Sequence, residues 1–176
     1  MTTPLPMSIS IRRAEADDAA ALSTFAAAAF HDAFGAHNTP DNMARYVAES
    51  FSAERQAAEI ADPASEVLLA EDGSQLAGYV RIVRDGAPAT VAEPAIEIRR
   101  LYVDRTRHGA GVAQLLMDAT IDAARRVGVR SIWLAVWERN ARAIRFYQKS
   151  GFARVGSTRF LLGDDEQTDW LMARAV

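Results

Sequence analysis

The run Ile96-Glu97-Ile98-Arg99-Arg100-Leu101-Tyr102-Val103 reads as a strand, and a few residues later Arg107-His108-Gly109-Ala110-Gly111 opens a helix. In that helix Val112, Leu116, Ala119, Ala123 and Val127 recur at helical spacing, and Gly128 stands where a left-handed residue ends it. Ser131-Ile132-Trp133-Leu134-Ala135-Val136-Trp137 follows, nearly all apolar, as at the centre of a sheet. Strand, helix and strand in this order demand a parallel pair. The junction between the first strand and the helix also has chemical content. Two glycines with small neighbours leave backbone N–H groups uncovered, and a helix N-terminus adds roughly half a positive charge. Such a turn holds a phosphate or pyrophosphate without a charged side chain.

The rest of the chain fits around this unit. Ile9-Ser10-Ile11-Arg12-Arg13 reads as a first strand, and Asp17-Asp18 are placed to cap an alanine-rich helix through Phe34. Thr39-Pro40-Asp41 starts a second helix and Ser52-Ala53-Glu54-Arg55 a third. Residues 66–71 and 76–83 flank Asp72-Gly73 as a hairpin. Asn140 caps a helix that stops at Gly151. Residues 152–155 and 159–162 read as strand, Gly163-Asp164-Asp165-Glu166 as a turn, and 168–174 as a last strand. The hairpins require antiparallel pairs beside the parallel one. The expected fold is α/β: one mixed, twisted sheet of about seven strands with helices on both faces. At 176 residues the chain reads as one domain over 8–176, with 1–7 as a disordered lead.

Composition narrows the chemistry. The formal charge of −3 gives no global basicity that would point to nucleic acid. With no cysteine, disulfides, thiolate metal sites and cysteine nucleophiles are excluded, and a cytoplasmic location is expected. No apolar run approaches a membrane span, and the first residues lack the basic and apolar regions of a signal peptide. His31, His37 and His108 show no metal-ligand spacing, so no metal is expected.

Three phosphate-binding readings compete for the glycine turn. A P-loop needs Gly-Lys-Ser/Thr, and Gly111-Val112-Ala113 supplies no lysine. A dinucleotide fingerprint needs a third glycine where Gln114 stands, and an acid about 20 residues on, where the chain has Gly128-Val129-Arg130. The third reading fits. His108-Gly109-Ala110-Gly111-Val112-Ala113 resembles the acetyl-CoA-binding motif of the GNAT acyltransferase superfamily, with His108 where the family carries Gln or Arg. Arg100-Leu101-Tyr102-Val103 resembles the strand that grips pantetheine. Residues 140–152, from Asn140 through Phe146-Tyr147 to Gly151-Phe152, resemble the family's second cofactor segment. Residues 134–140 and 162–169 look like the bacterial spermidine/spermine N-acetyltransferase branch.

The resemblance implies a splayed parallel strand pair that admits acetyl-CoA, and acetyl transfer to an amine. It implies Tyr147 as general acid for the CoA sulfur, with its neighbour Phe146 facing the core; the alternative is that Tyr147 is a core aromatic with a hydrogen-bonded tip. It implies Glu97 as a base, since it lies 11 residues before His108 as in the histone-acetylating branch. The alternative is a salt-bridged glutamate. Strict alternation puts Glu97, Arg99, Leu101 and Val103 on one face, and the bulge that the resemblance implies would break that parity. By the same resemblance Leu101 N–H polarises the acetyl carbonyl, and Val103, next to Tyr102, pairs with pantetheine. Gly109, Ala110, Gly111, Val112 and Ala113 meet the pyrophosphate, with His108 beside them. Asn140 meets the pantetheine arm, and Lys149, with Arg142 and Arg145, reaches the 3′-phosphate or forms a solvated basic face. The helices over 19–61 wall the acceptor side with Phe30, His31, Phe34 and Tyr46, and the acidic turn 164–166 borders its mouth. The expected acceptor is a small amine, a polyamine first. The alternatives are a protein N-terminus or another small amine, or a non-catalytic acyl-CoA-binding sensor. A homodimer is a candidate assembly. Without a cysteine to carry the acyl group, direct attack in a ternary complex is expected.

Overall fold

A computed structural model describes residues 8–176; the lead expected over 1–7 lies outside them. The strands are β1 (Ile9–Arg13), β2 (Ser65–Asp72), β3 (Gln75–Val83), β4 (Ala95–Val103), β5 (Ser131–Trp137), β6 (Ala153–Leu162) and β7 (Asp165–Ala175). The helices are α1 (Ala19–Phe34), α2 (Pro40–Phe51), α3 (Ala53–Ala61), α4 (Val112–Val127) and α5 (Ala141–Lys149). One seven-stranded sheet runs β1-β2-β3-β4-β5-β7-β6. All neighbours pair antiparallel except β4 and β5. Those two are joined only through Ala95–Ser131, Ile96–Ile132 and Glu97–Trp133, and beyond Glu97 they part.

Each face of the sheet buries its own apolar cluster. Ile96, Ile98, Ile132, Leu134 and Met172 pack with Leu116, Met117 and Ile121 of α4 and Ile144 and Tyr147 of α5. On the other face Leu69, Tyr79 and Leu162 pack with Leu22, Ala26 and Phe30 of α1 and Met43 and Phe51 of α2. A helix on each side is what a parallel pair needs, because neither of its faces then meets water.

Local chemistry accounts for most boundaries. Thr39 accepts from Asn42 N–H at 3.3 Å to open α2, and Ser52 accepts from Arg55 N–H at 3.2 Å to open α3. Asn140 accepts from Ala143 N–H at 3.1 Å to open α5. The start of α1 differs from expectation. Asp18 caps no helical N–H there; it accepts from Glu15 N–H at 2.7 Å in a short 3₁₀ turn and is gripped by Arg12. The strands expected at 152–155 and 159–162 are one strand, β6, kinked by a register shift between Arg154 and Gly156.

The break in β4 positions the site. Arg81 of β3 pairs with Arg100, but Ile82 pairs with Ile98, so Arg99 is an extra residue on β4. The bulge resets the pleat. Ile96 and Ile98 before it and Leu101 and Val103 after it all pack toward α4 and α5. Glu97, expected beside Leu101 and Val103 on an undistorted strand, therefore shares its face with Arg100 and Tyr102.

Candidate active site

Where β4 and β5 part, a cleft of about 870 Å³ opens through the sheet. One end meets the N-terminus of α4. There Gly109 and Gly111 hold φ of +83° and +85°, a left-handed region that a side chain makes costly. Nothing lies within 4 Å of where a Cβ would stand on either, so backbone conformation rather than space requires glycine. The first helical bond is Leu115 N–H to Gly111 C=O, which leaves the N–H groups of Val112, Ala113 and Gln114 without an intrahelical acceptor. Gly109, Gly111, Val112 and Ala113 line the cleft. Ala110 does not: its N–H is spent on Arg107 C=O.

His108 has a structural task here. Its Nε2 lies 3.1 Å from Val103 C=O and its Nδ1 2.5 Å from Arg142 Nη1. A guanidinium only donates, so Nδ1 accepts and Nε2–H donates to the carbonyl; the ring is a strut holding Arg142 against the cleft. Lys149, expected near a phosphate, is exposed near the end of α5 and lies outside the cleft lining.

In the gap itself the backbone of β4 faces the opening. Asp104 N–H turns to β3 and donates to Ala77 C=O, whereas Val103 C=O turns away from β3. Alternation turns Leu101 the same way as Val103. Opposite, β5 presents the small, exposed Ala135.

Tyr147 and Glu97 flank this gap. Tyr147 is buried on α5 against Phe146 and Phe152, and burial holds its phenol above the ordinary range. Phe146, expected to face the core, is the less buried of the two, and both line the cleft. Glu97 is buried at the last rung of the β4–β5 pairing and accepts from Arg99 at 2.5 Å.

The opposite wall is aromatic. Phe30, Phe34, Tyr46 and Phe160 line it with Tyr102 and Trp137. Phe30 stacks on Tyr46 at 4.6 Å, and Phe34 and His37 pack on Trp137. His31, expected in this wall, points outward and lies over Gly35.

Two features were not anticipated from the sequence. Glu59 of α3, nine-tenths buried, accepts from Arg100 at 2.7 Å, Arg81 at 3.1 Å and Arg55 at 3.1 Å, which ties α3 to the floor of the cleft. The signal was present: Gln56 and Glu59 sit on the inward stripe of a short amphipathic helix. The second is Asp169 of β7, in register with Trp137. It is nine-tenths buried, lines the cleft, and its Oδ1 has no hydrogen-bond partner among the described residues. Burial, with Glu138 nearby, pushes its carboxyl up to about 6. Its inward parity with Leu171 and Ala173 was legible from alternation along β7.

A deep cleft with uncovered N–H groups at one end, open strand edges in the middle and an aromatic wall at the other suits a long phosphorylated cofactor meeting a second substrate. Seven arginines against three carboxylates in its lining favour the anion. The Leu101–Val103 edge and the left-handed turn are the groups that would hold acetyl-CoA. No helix among the described residues is long and apolar enough to cross a membrane.

Comparison with known proteins agrees with this geometry. Residues 26–152 match the model of the acetyltransferase (GNAT) family. An uncharacterised N-acetyltransferase of Lactobacillus delbrueckii subsp. lactis is 32% identical over 148 residues, covering 84% of this chain and 86% of that protein. One of Mycobacterium bovis is 32% identical over 159 residues, covering 90% and 98%. Among solved structures, the PaiA N-acetyltransferase of Thermoplasma acidophilum, in complex with coenzyme A, superposes with a TM-score of 0.79 at 21% identity, covering 97% of this chain and 100% of that one.

Proposed function

The chain belongs to the GNAT acetyltransferase family, and from that premise we propose that it transfers the acetyl group of acetyl-CoA to a primary amine of a small molecule. One observation carries this reading: the sheet is open where β4 and β5 part, between a left-handed glycine turn on one side and an aromatic wall on the other. Acetyl-CoA supplies the activated thioester; the protein has to hold it, orient the carbonyl and manage protons.

Each task has a candidate. The N–H groups of Gly109, Gly111, Val112 and Ala113 meet the pyrophosphate, helped by the helix end and by Arg142, which His108 positions. The Val103 edge and Asn140 line the pantetheine path. Leu101 N–H donates to the acetyl oxygen, where negative charge grows as the amine attacks. Tyr147, kept protonated by burial, gives its proton to the leaving sulfur. An alkylammonium has no lone pair, so its proton must leave first. Glu97, at the head of the gap, accepts it through water, with Arg99 holding the carboxylate in place.

A polyamine is the acceptor to assay first, on the C-terminal resemblance. Within the acidic turn Asp164 is paired with Arg45 and Glu166 with Arg159, so less charge is free to steer a polycation than the sequence alone suggests. The test is thiol release from acetyl-CoA with spermidine, spermine and a panel of monoamines, with CoA binding measured separately. Turnover of an amine is the expected outcome. CoA binding without turnover of any amine would overturn the transferase reading in favour of an acyl-CoA sensor.

A further inference from the structure

We propose that Asp169 is the counter-ion that seats the acceptor's ammonium group against the aromatic wall of the cleft; the proposal rests on the N-acetyltransferase reading of that cleft. A carboxylate that is nine-tenths buried, with Oδ1 shut off from water and unbonded, is costly to keep. No cation among the described residues bonds that oxygen. Arg99 holds Glu97, Arg81 and Arg100 hold Glu59, and Arg45 holds Asp164. A cation arriving with the substrate is the missing partner.

The surroundings fit an ammonium with an apolar body. Trp137 is directly opposite Asp169 on β5, so both side chains project from the same face. Phe34 packs on that indole at 6.0 Å between centroids. Aromatic faces attract an ammonium, and a carboxylate at their edge fixes where it sits. The register also matches the chemistry. Trp137 lies four residues past the last β4–β5 rung on one strand; on the other, with Arg99 taken up by the bulge, Leu101 lies three pleat positions past it. Asp169 is therefore about one residue, roughly 3.3 Å, beyond the level of the Leu101 amide, across one strand of about 5 Å and the gap. Glu138, just after β5, is the charged neighbour that acts on it, and His37 packs beyond Trp137. The cleft lining it shares also holds Asp32, Glu97, Tyr46, Tyr102, Tyr147 and the seven arginines.

The experiment compares the parent chain with Asp169→Asn and Asp169→Glu in thiol-release kinetics with n-butylamine, phenethylamine and spermidine. Asp169→Asn is expected to raise KM for the best amine at least about tenfold, the loss of a charged hydrogen bond. KM for acetyl-CoA should stay within about twofold, and Asp169→Glu should recover part of the loss. An amine KM unchanged in Asp169→Asn would overturn the proposal. A second measurement needs neither turnover nor a variant. Carboxyl ¹³C NMR of the CoA-bound chain is expected to show the Asp169 midpoint fall with n-butylammonium chloride and not with n-butanol. A midpoint that n-butylammonium does not move overturns the proposal, even if another amine is acetylated. If CoA binds and no amine is acetylated, the transferase reading fails while the NMR result still decides the role of Asp169.

Discussion

Tyr147 and Asp169 are both buried acids that keep their protons longer than usual, yet they have opposite consequences. Burial of the Tyr147 phenol raises its pKa above the ordinary value near 10, so it stays a donor throughout the physiological range. Tyr147→Phe is therefore expected to lower kcat by about 10²-fold or more with little change in CoA affinity, read by steady-state kinetics beside calorimetry. An unchanged kcat would remove the tyrosine from the chemistry. Asp169 carries a carboxyl pushed up to about 6, against an ordinary value near 4. The folded chain thus binds this proton more tightly than the unfolded chain. The stability linked to it is full below about pH 4 and is lost as pH rises through about 6. Asp169→Asn should therefore unfold at higher urea than the parent at pH 8, with the gap closing toward pH 4. A gap that widens toward acid would contradict the assignment. Gly111 gives a third test at this scale. At φ +85°, with nothing near its Cβ position, Gly111→Ala meets only backbone strain, expected to cost roughly 1–2 kcal/mol in urea unfolding.

Among the elements, α4 and α5 were the most legible in the sequence. Strong periodicity and unambiguous ends, the left-handed Gly128 of one and the Asn140 cap of the other, carry enough local information to fix them. Asn140→Ala is expected to cost about 1 kcal/mol through the lost bond to Ala143 N–H, measured by chemical denaturation. The hairpin at Gly73 and the parallel pairing of β4 with β5 were legible for the same reason. What was not legible depends on contacts between elements. The resemblance implied a bulge in this strand, but its place at Arg99 is fixed only once β3 is laid beside β4, because a bulge is a mismatch between two strands. That mismatch moved Glu97 off the face it shares with Leu101 on an ideal strand. Asp18 has the residue type of a cap, but its carboxylate is taken by Arg12, which bridges it to Glu71 from far along the chain. Glu59 takes its meaning from Arg81 and Arg100, which are far away in sequence and surround it. The glycine turn, Tyr147, Glu97 and the Leu101–Val103 edge could be proposed from their motifs. Asp169 could not, because its meaning lies in the absence of a partner.

At the scale of the whole molecule, acetyl-CoA binding should stabilise the fold by mass action, by about 2.7 kcal/mol at one hundred times Kd, seen as a rise in the thermal midpoint. Where in the molecule that stabilisation falls follows from the pairing of β4 with β5. Only three rungs, at Ala95, Ile96 and Glu97, stitch the four-stranded leaf β1–β4 to the three-stranded leaf β5–β7–β6. Every other lateral contact in the sheet is a longer antiparallel ladder. The seam of the sheet and the floor of the cleft are thus one feature. A cofactor that bonds the Val103 edge supplies the rungs that the two leaves leave unmade, and so acts as a temporary eighth strand. Amide exchange at 99–103 and 134–137 should slow on acetyl-CoA binding more than exchange in β1 or β2, because the ligand closes the book along its spine.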